Sequence, residues 1–126
     1  MAEQERRAFF RLKFSTPLEF KAYRDSEASD RSFGSAQNIS QSGILFQTGN
    51  IPPKLSSIVW MNLDLRTLKI CQEIESRALI LRNGVFGKVV RVEEDPEREN
   101  TYDVGVCFLK KDQRYSPEVE HILRQS

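Results

Sequence analysis

The chain has 126 residues, 39% hydrophobic and 29% charged, and its 19 Lys and Arg against 18 Asp and Glu give a formal charge of +1. That length and balance fit one ordinary globular domain with a sizeable core and exclude a chain too polar to fold. They also exclude a global field suited to duplex DNA or an anionic membrane, so any anion site must be local.

The first residues, Met1 to Phe10, carry a charged and polar run, Glu3 to Arg7, where a secretory leader needs an apolar run. No stretch approaches the roughly 20 apolar residues of a membrane span, so the expectation is a cytoplasmic protein without membrane insertion. From Leu12 to Ala22 the even positions (Leu12, Phe14, Thr16, Leu18, Phe20, Ala22) are mostly apolar and the odd ones are polar or Pro. This period of two predicts a half-buried strand. Pro17 has no donor for a ladder, which places it at an edge, a bulge or a change of partner.

A polar stretch with Gly34 follows, Asp25 to Ser35, then Gln37 to Gly43 and the apolar run Ile44-Leu45-Phe46, read as strand, tight turn, strand. Ile58 to Leu65 alternates again, with Val59, Met61, Leu63 and Leu65 opposite Trp60, Asn62 and Asp64. Between Arg77 and Val92 two apolar runs flank Asn83-Gly84, which suits the positive φ angles of a type I′ hairpin, with Gly87 as a candidate bulge. Asp95 to Asn100 reads as a solvated loop. The last strand, Tyr102 to Phe108, puts Tyr102, Val104, Val106 and Phe108 on one face. Ser116-Pro117-Glu118 then supplies an N-cap, a first-turn proline and a first-turn acid for a helix whose Val119, Ile122 and Leu123 share one side.

The chemistry-bearing residues argue against an enzyme. His121 is the only histidine and falls on the terminal helix, where a surface or packing role is expected. No nucleophile motif, phosphate loop or metal-ligand spacing is present. Cys71 and Cys107 lie far apart with no supporting His cluster and are read as free thiols, with no metal site. Two clusters remain. Arg6, Arg7 and Arg11 lie within six residues ahead of the first strand, and each offers a planar fork matched to phosphate oxygens or to the O6 and N7 edge of guanine. Taken alone such a run is also compatible with a solvated basic tail. Asn38-Ile39-Ser40-Gln41-Ser42-Gly43 joins two strands, and its Asn, Ser and Gly can serve a ligand or simply form an Asx-type turn.

Together the clusters resemble the PilZ domain family, whose signature is an R-x-x-x-R loop before the first strand and a later D/N-x-S-x-x-G turn. Arg7-Ala8-Phe9-Phe10-Arg11 fits the first, with Arg6 as an additional arginine, and Asn38 to Gly43 fits the second. The closing strand Tyr102 to Phe108 is also similar. Asn38 stands where many members carry Asp, which removes a negative charge. The resemblance implies a mainly β fold: a small six-stranded antiparallel β-barrel over 12–108, an arginine-rich arm over 1–11 and a C-terminal helix over 116–125. It implies a bacterial signalling domain that binds c-di-GMP through Arg6, Arg7, Arg11, Asn38, Ser40 and Gly43, with no catalysis and no other cofactor. On this reading, binding changes the arm and signals to a separate protein effector, homodimers are compatible, and nucleic acid polymers are not partners. The alternative is a PilZ-like interaction domain that acts without nucleotide.

Overall fold

The alternation at the head of the chain folds as strand β1 (Leu12–Arg24), which seeds a closed barrel. In the computed structural model, residues 12–24, 27–28, 31–49, 51–62, 74, 76–81 and 83–124 are described. The other strands are β2 (Glu27–Ala28), β3 (Ser32–Ile39), β4 (Gly43–Gly49), β5 (Ile58–Asn62), β6 (Ile80–Leu81), β7 (Gly84–Glu94) and β8 (Thr101–Phe108). A 3-10 turn (Lys111–Tyr115) and helix α1 (Pro117–Arg124) follow. All strand pairs are antiparallel, and the order β1-β3-β4-β8-β7-β5 closes because β5 returns to β1. Six strands therefore form the ring, with β2 paired outside it to β1 and β6 to β7. Closure removes the open sheet edges that would otherwise recruit other chains.

Alternate side chains of the ring fill its interior. Leu18, Phe20, Phe46, Val59, Met61, Val104 and Val106 are each at most 3% exposed, and the Phe20 and Phe46 rings meet at 4.9 Å between centroids. A second cluster lies outside the barrel, where Ile58, Leu79, Phe86 and Leu109 pack beneath Val119 and Ile122 of α1. β5 is consequently buried on both sides near its start. The cap is as expected: the Val119 N–H donates to Ser116 Oγ at 3.4 Å and the Glu120 N–H to the Ser116 carbonyl at 3.0 Å.

Several expectations shift in detail. β3 begins at Ser32, inside the polar stretch Asp25 to Ser35, because Ser32 to Ser35 pair with β1 while Ala36 and Ile39 supply its buried face. Pro17 follows a register shift between Lys13 and Thr16 and precedes the second ladder of β1, which starts at Glu19. The hairpin at Asn83-Gly84 is displaced by one residue: Leu81 pairs with Gly84, and Asn83 alone of that dipeptide has positive φ, at 63°. Gly84 is required for space, since a Cβ there would lie 2.2 Å from Trp60 Nε1. Gly87 is not the bulge. The shift in β7 falls between Val89 and Arg91, and Gly87 makes room for Val106, whose Cγ1 lies 2.3 Å from where its Cβ would stand. β5 ends at Asn62; residues 63–65 of the strand expected there, and Cys71, lie outside the described residues.

Candidate functional site

The turn Asn38 to Gly43 forms because β3 ends and β4 begins at paired residues, Ile39 opposite Ile44, leaving Ser40 to close the loop. The Ser40 N–H donates to the Gly43 carbonyl at 2.9 Å. Ser40 is buried, and its Oγ accepts from the Ser42 N–H at 3.3 Å while lying 3.3 Å from Ser42 Oγ and 3.4 Å from the Gly43 carbonyl. These are long bonds, so the hydroxyl braces the turn weakly and can exchange partners. Gly43 has no positive φ. It is needed for close approach: a Cβ there would stand 2.4 Å from the Val106 carbonyl oxygen, across the β4–β8 ladder.

A row crosses five chain segments, in which Lys13, Asn38, Leu45, Gly105 and Arg91 are successive partners in register, and the last four of these lie on the outer wall of the barrel. Each register shift among the described strands abuts this row, between Lys13 and Thr16, between Ala36 and Asn38, and between Val89 and Arg91. Bulges re-aim side chains and increase local twist. In β7 the bulge puts Val90 and Arg91 both outside, where strict alternation would bury one of them; Val90 is 54% exposed.

The row borders a cleft of about 230 Å³ that unites Asn38, Ser40 and Gly43 with Leu45, Val90, Arg91, Gly105 and Cys107. Of the sequence-predicted site residues, these three are thus brought together. Arg6, Arg7 and Arg11 lie outside the described residues; Leu12, which follows them and opens β1, pairs with Ile39, the second residue of the turn motif.

Arg91 was not singled out from the sequence. It is the one charged side chain among the described residues lining the cleft, and it pairs with Glu93 two residues on. Its stem crosses Gly105, where an added Cβ would lie 3.2 Å from Arg91 Cβ. The hydrogen bond to Glu93, then the charge of Glu93 and to a smaller extent that of Asp103, raise the Arg91 pKa above its usual range. Beside the cleft, Gln47 Nε2 donates to Asp103 Oδ1 at 2.8 Å and to Asp95 Oδ2 at 3.3 Å, fixing an acidic border on that side. The sequence signal for Arg91 was faint: two valines in succession, Val89-Val90, break the alternation before it.

Cys107 is exposed and unbridged, in keeping with the free-thiol reading, and His121 is exposed on α1. Among the described residues there is no group of His, Cys, Asp and Glu that could hold a metal, and no helix long and apolar enough to cross a membrane.

The PilZ domain family model matches residues 5–125. Among solved structures, the inhibitor of motility MotI/DgrA of Bacillus subtilis is similar at a TM-score of 0.54 and 14% identity, covering 95% of this chain and 51% of that one. The chain thus spans about half the length of that protein. The PilZ domain of YcgR from Escherichia coli, solved with c-di-GMP, gives 0.49 and 16% over 95% of this chain and 87% of that one. The MrkH–c-di-GMP complex of K. pneumonia gives 0.45 and 11% over 95% and 50%. No curated protein matches the sequence.

Proposed function

The chain belongs to the PilZ domain family, and on that premise we propose that it is a c-di-GMP-binding sensor or adaptor domain. The ligand would lie on the outer wall of the barrel. Arg6, Arg7 and Arg11 of the arm would grip its phosphates and guanine edges, and Asn38, Ser40 and Gly43 would form the opposing wall. The observation that carries this reading is a register: the residue that follows the arginine motif, Leu12, pairs with Ile39 inside the turn motif. That pairing supports a reading in which two motifs far apart in sequence serve one cleft. Arginine forks suit both phosphate and guanine, and a Gly-bearing turn allows close approach.

The output in this reading is a change of the arm over 1–11 that alters the surface offered to a protein effector, within a single domain of arm, barrel and terminal helix. A ligand that prefers the closed arm shifts the population toward it. The chain itself performs no catalysis, acts in the bacterial cytoplasm and is compatible with a homodimer. Calorimetric titration of the purified protein with c-di-GMP tests this and also returns the stoichiometry. Saturable heat with nucleotide recovered intact is expected. Absence of binding assigns the protein instead to nucleotide-independent interaction, and turnover of the nucleotide overturns the non-catalytic reading.

A further inference from the structure

Arg91 belongs to neither family motif, yet the structure gives it the features of a ligand contact. The β7 bulge turns it outward, Gly105 leaves its stem a side-chain-free track, and among the described residues that line the cleft it is the one that carries a charge. Its present partner, Glu93, is an exposed carboxylate on the same strand that does not line the cleft. An exposed pair of this kind contributes little to stability, so its exchange costs little. Around the guanidinium, half-buried Leu45, the bare backbone of Gly105 and exposed Val90 form a low apolar floor suited to the face of a planar base. A guanidinium at the rim of such a floor is placed to read a base edge as a two-donor fork.

We infer that Arg91 is a specificity-determining contact for a guanine base of the dinucleotide, and that Glu93 competes with that base for the guanidinium. The inference rests on the c-di-GMP reading given above and extends it to a residue of β7, outside both family motifs. Glu93 then acts as an internal substitute for the ligand. It neutralises Arg91 while the cleft is empty, and removing its charge frees the fork.

Four proteins titrated with c-di-GMP at one fixed salt concentration test this: the wild type, Arg91→Met, Arg91→Lys and Glu93→Gln. Arg91→Met keeps an unbranched stem over Gly105 and removes the donors, and it should weaken binding by roughly tenfold or more. Arg91→Lys keeps the charge without the fork and should lose most of the same affinity. Glu93→Gln should bind more tightly than the wild type, by a factor of about two to five. Thermal melts of all four should nearly coincide. Wild-type affinity in Arg91→Met overturns the contact. Wild-type affinity in Arg91→Lys overturns the base-reading role, because charge alone would then suffice. Weaker binding by Glu93→Gln overturns the competition. A wild type that does not bind c-di-GMP defeats the underlying functional reading, whereas a wild type that binds while Arg91→Met binds equally well defeats this inference alone.

Discussion

The barrel has two outer faces that follow opposite rules. Where α1 lies against it, the outward residues Ile58 and Phe86 are large and apolar and at most 2% exposed, and Trp60 joins them with its indole N–H donated to the Leu81 carbonyl at 3.2 Å. Across β4 and β8, the outward residues Gln47, Asp103, Gly105 and Cys107 are polar or small, and only Leu45 is a larger apolar group. A strand buried on both faces reads as a continuous apolar run, and one with a free outer face alternates. The difference teaches where to look for a ligand. The covered face spends its side chains on the helix, while the free face keeps a low profile bordered by bulges that aim Asn38 and Arg91 across it.

If the two faces are energetically separate, variants on them should split cleanly between stability and binding. The largest expected effect is on the covered face. Phe86 is fully buried and stacks near Tyr23 with centroids 6.3 Å apart, so Phe86→Ala should cost about 3–5 kcal/mol of folding free energy. That is a large share of the roughly 5–15 kcal/mol typical of a domain, and a urea melt will show it as a much earlier midpoint. Under conditions where the variant stays folded, its c-di-GMP affinity should remain within about twofold of the wild type. A larger loss would mean that the faces are coupled.

For the arginines proposed to grip the ligand the expected pattern is reversed. Arg7→Ala and Arg11→Ala should each weaken c-di-GMP binding by about 1.5–3 kcal/mol, a factor of roughly ten to over a hundred, with an unchanged urea midpoint. The lysine variants should lose less, yet clearly. Wild-type affinity in both alanine variants eliminates the arm from the site. Gly43→Ala lies between the two patterns, since its Cβ would meet the β4–β8 ladder beside the cleft. It should cost about 1–3 kcal/mol of stability and also reduce affinity, because the turn must shift to admit it. A variant with unaltered stability would show that the ladder yields there at no cost.

Much of this arrangement was legible in the sequence, for reasons that particular residues make plain. Tyr102 to Phe108 alternates strictly because β8 has one filled face and one free face, and the pattern placed Val104 and Val106 inside without ambiguity. The turn motif was readable through its resemblance to the D/N-x-S-x-x-G turn of the PilZ family, since taken alone its Asn, Ser and Gly also suit an Asx-type turn. Long-range register was not readable. The displacement of the Asn83-Gly84 hairpin follows from the need to seat Trp60 against Gly84, a contact between residues 24 positions apart. Gly87 misled for the same reason, since its neighbour is Val106 and the bulge belongs to Val90. The two-residue strands β2 and β6 are too short to carry a period. Arg91 carries no local signal beyond Val89-Val90, and its place in the cleft exists only through the pairing of β7 with β8.

The smallest expected effect tests how firmly the cover itself is attached. Helix α1 has only eight residues, too few to be stable alone, so docking of Val119 and Ile122 must hold most of it in place. Its N-cap adds to that through one side-chain bond, from the Val119 N–H to Ser116 Oγ, and at 3.4 Å the bond is long. Pro117 and Glu118 favour the same start through a preset φ and a charge placed at the positive end of the helix dipole, and neither depends on the hydroxyl. Ser116→Ala should therefore lie at the low end of cap losses, about 0.5–1 kcal/mol, read as a small decrease in urea midpoint at constant slope. Affinity for c-di-GMP should not change. A loss near that of Phe86→Ala would mean that the cap, more than the buried apolar contacts, holds the helix on the barrel, and the account of the covered face would need to be rebuilt around it.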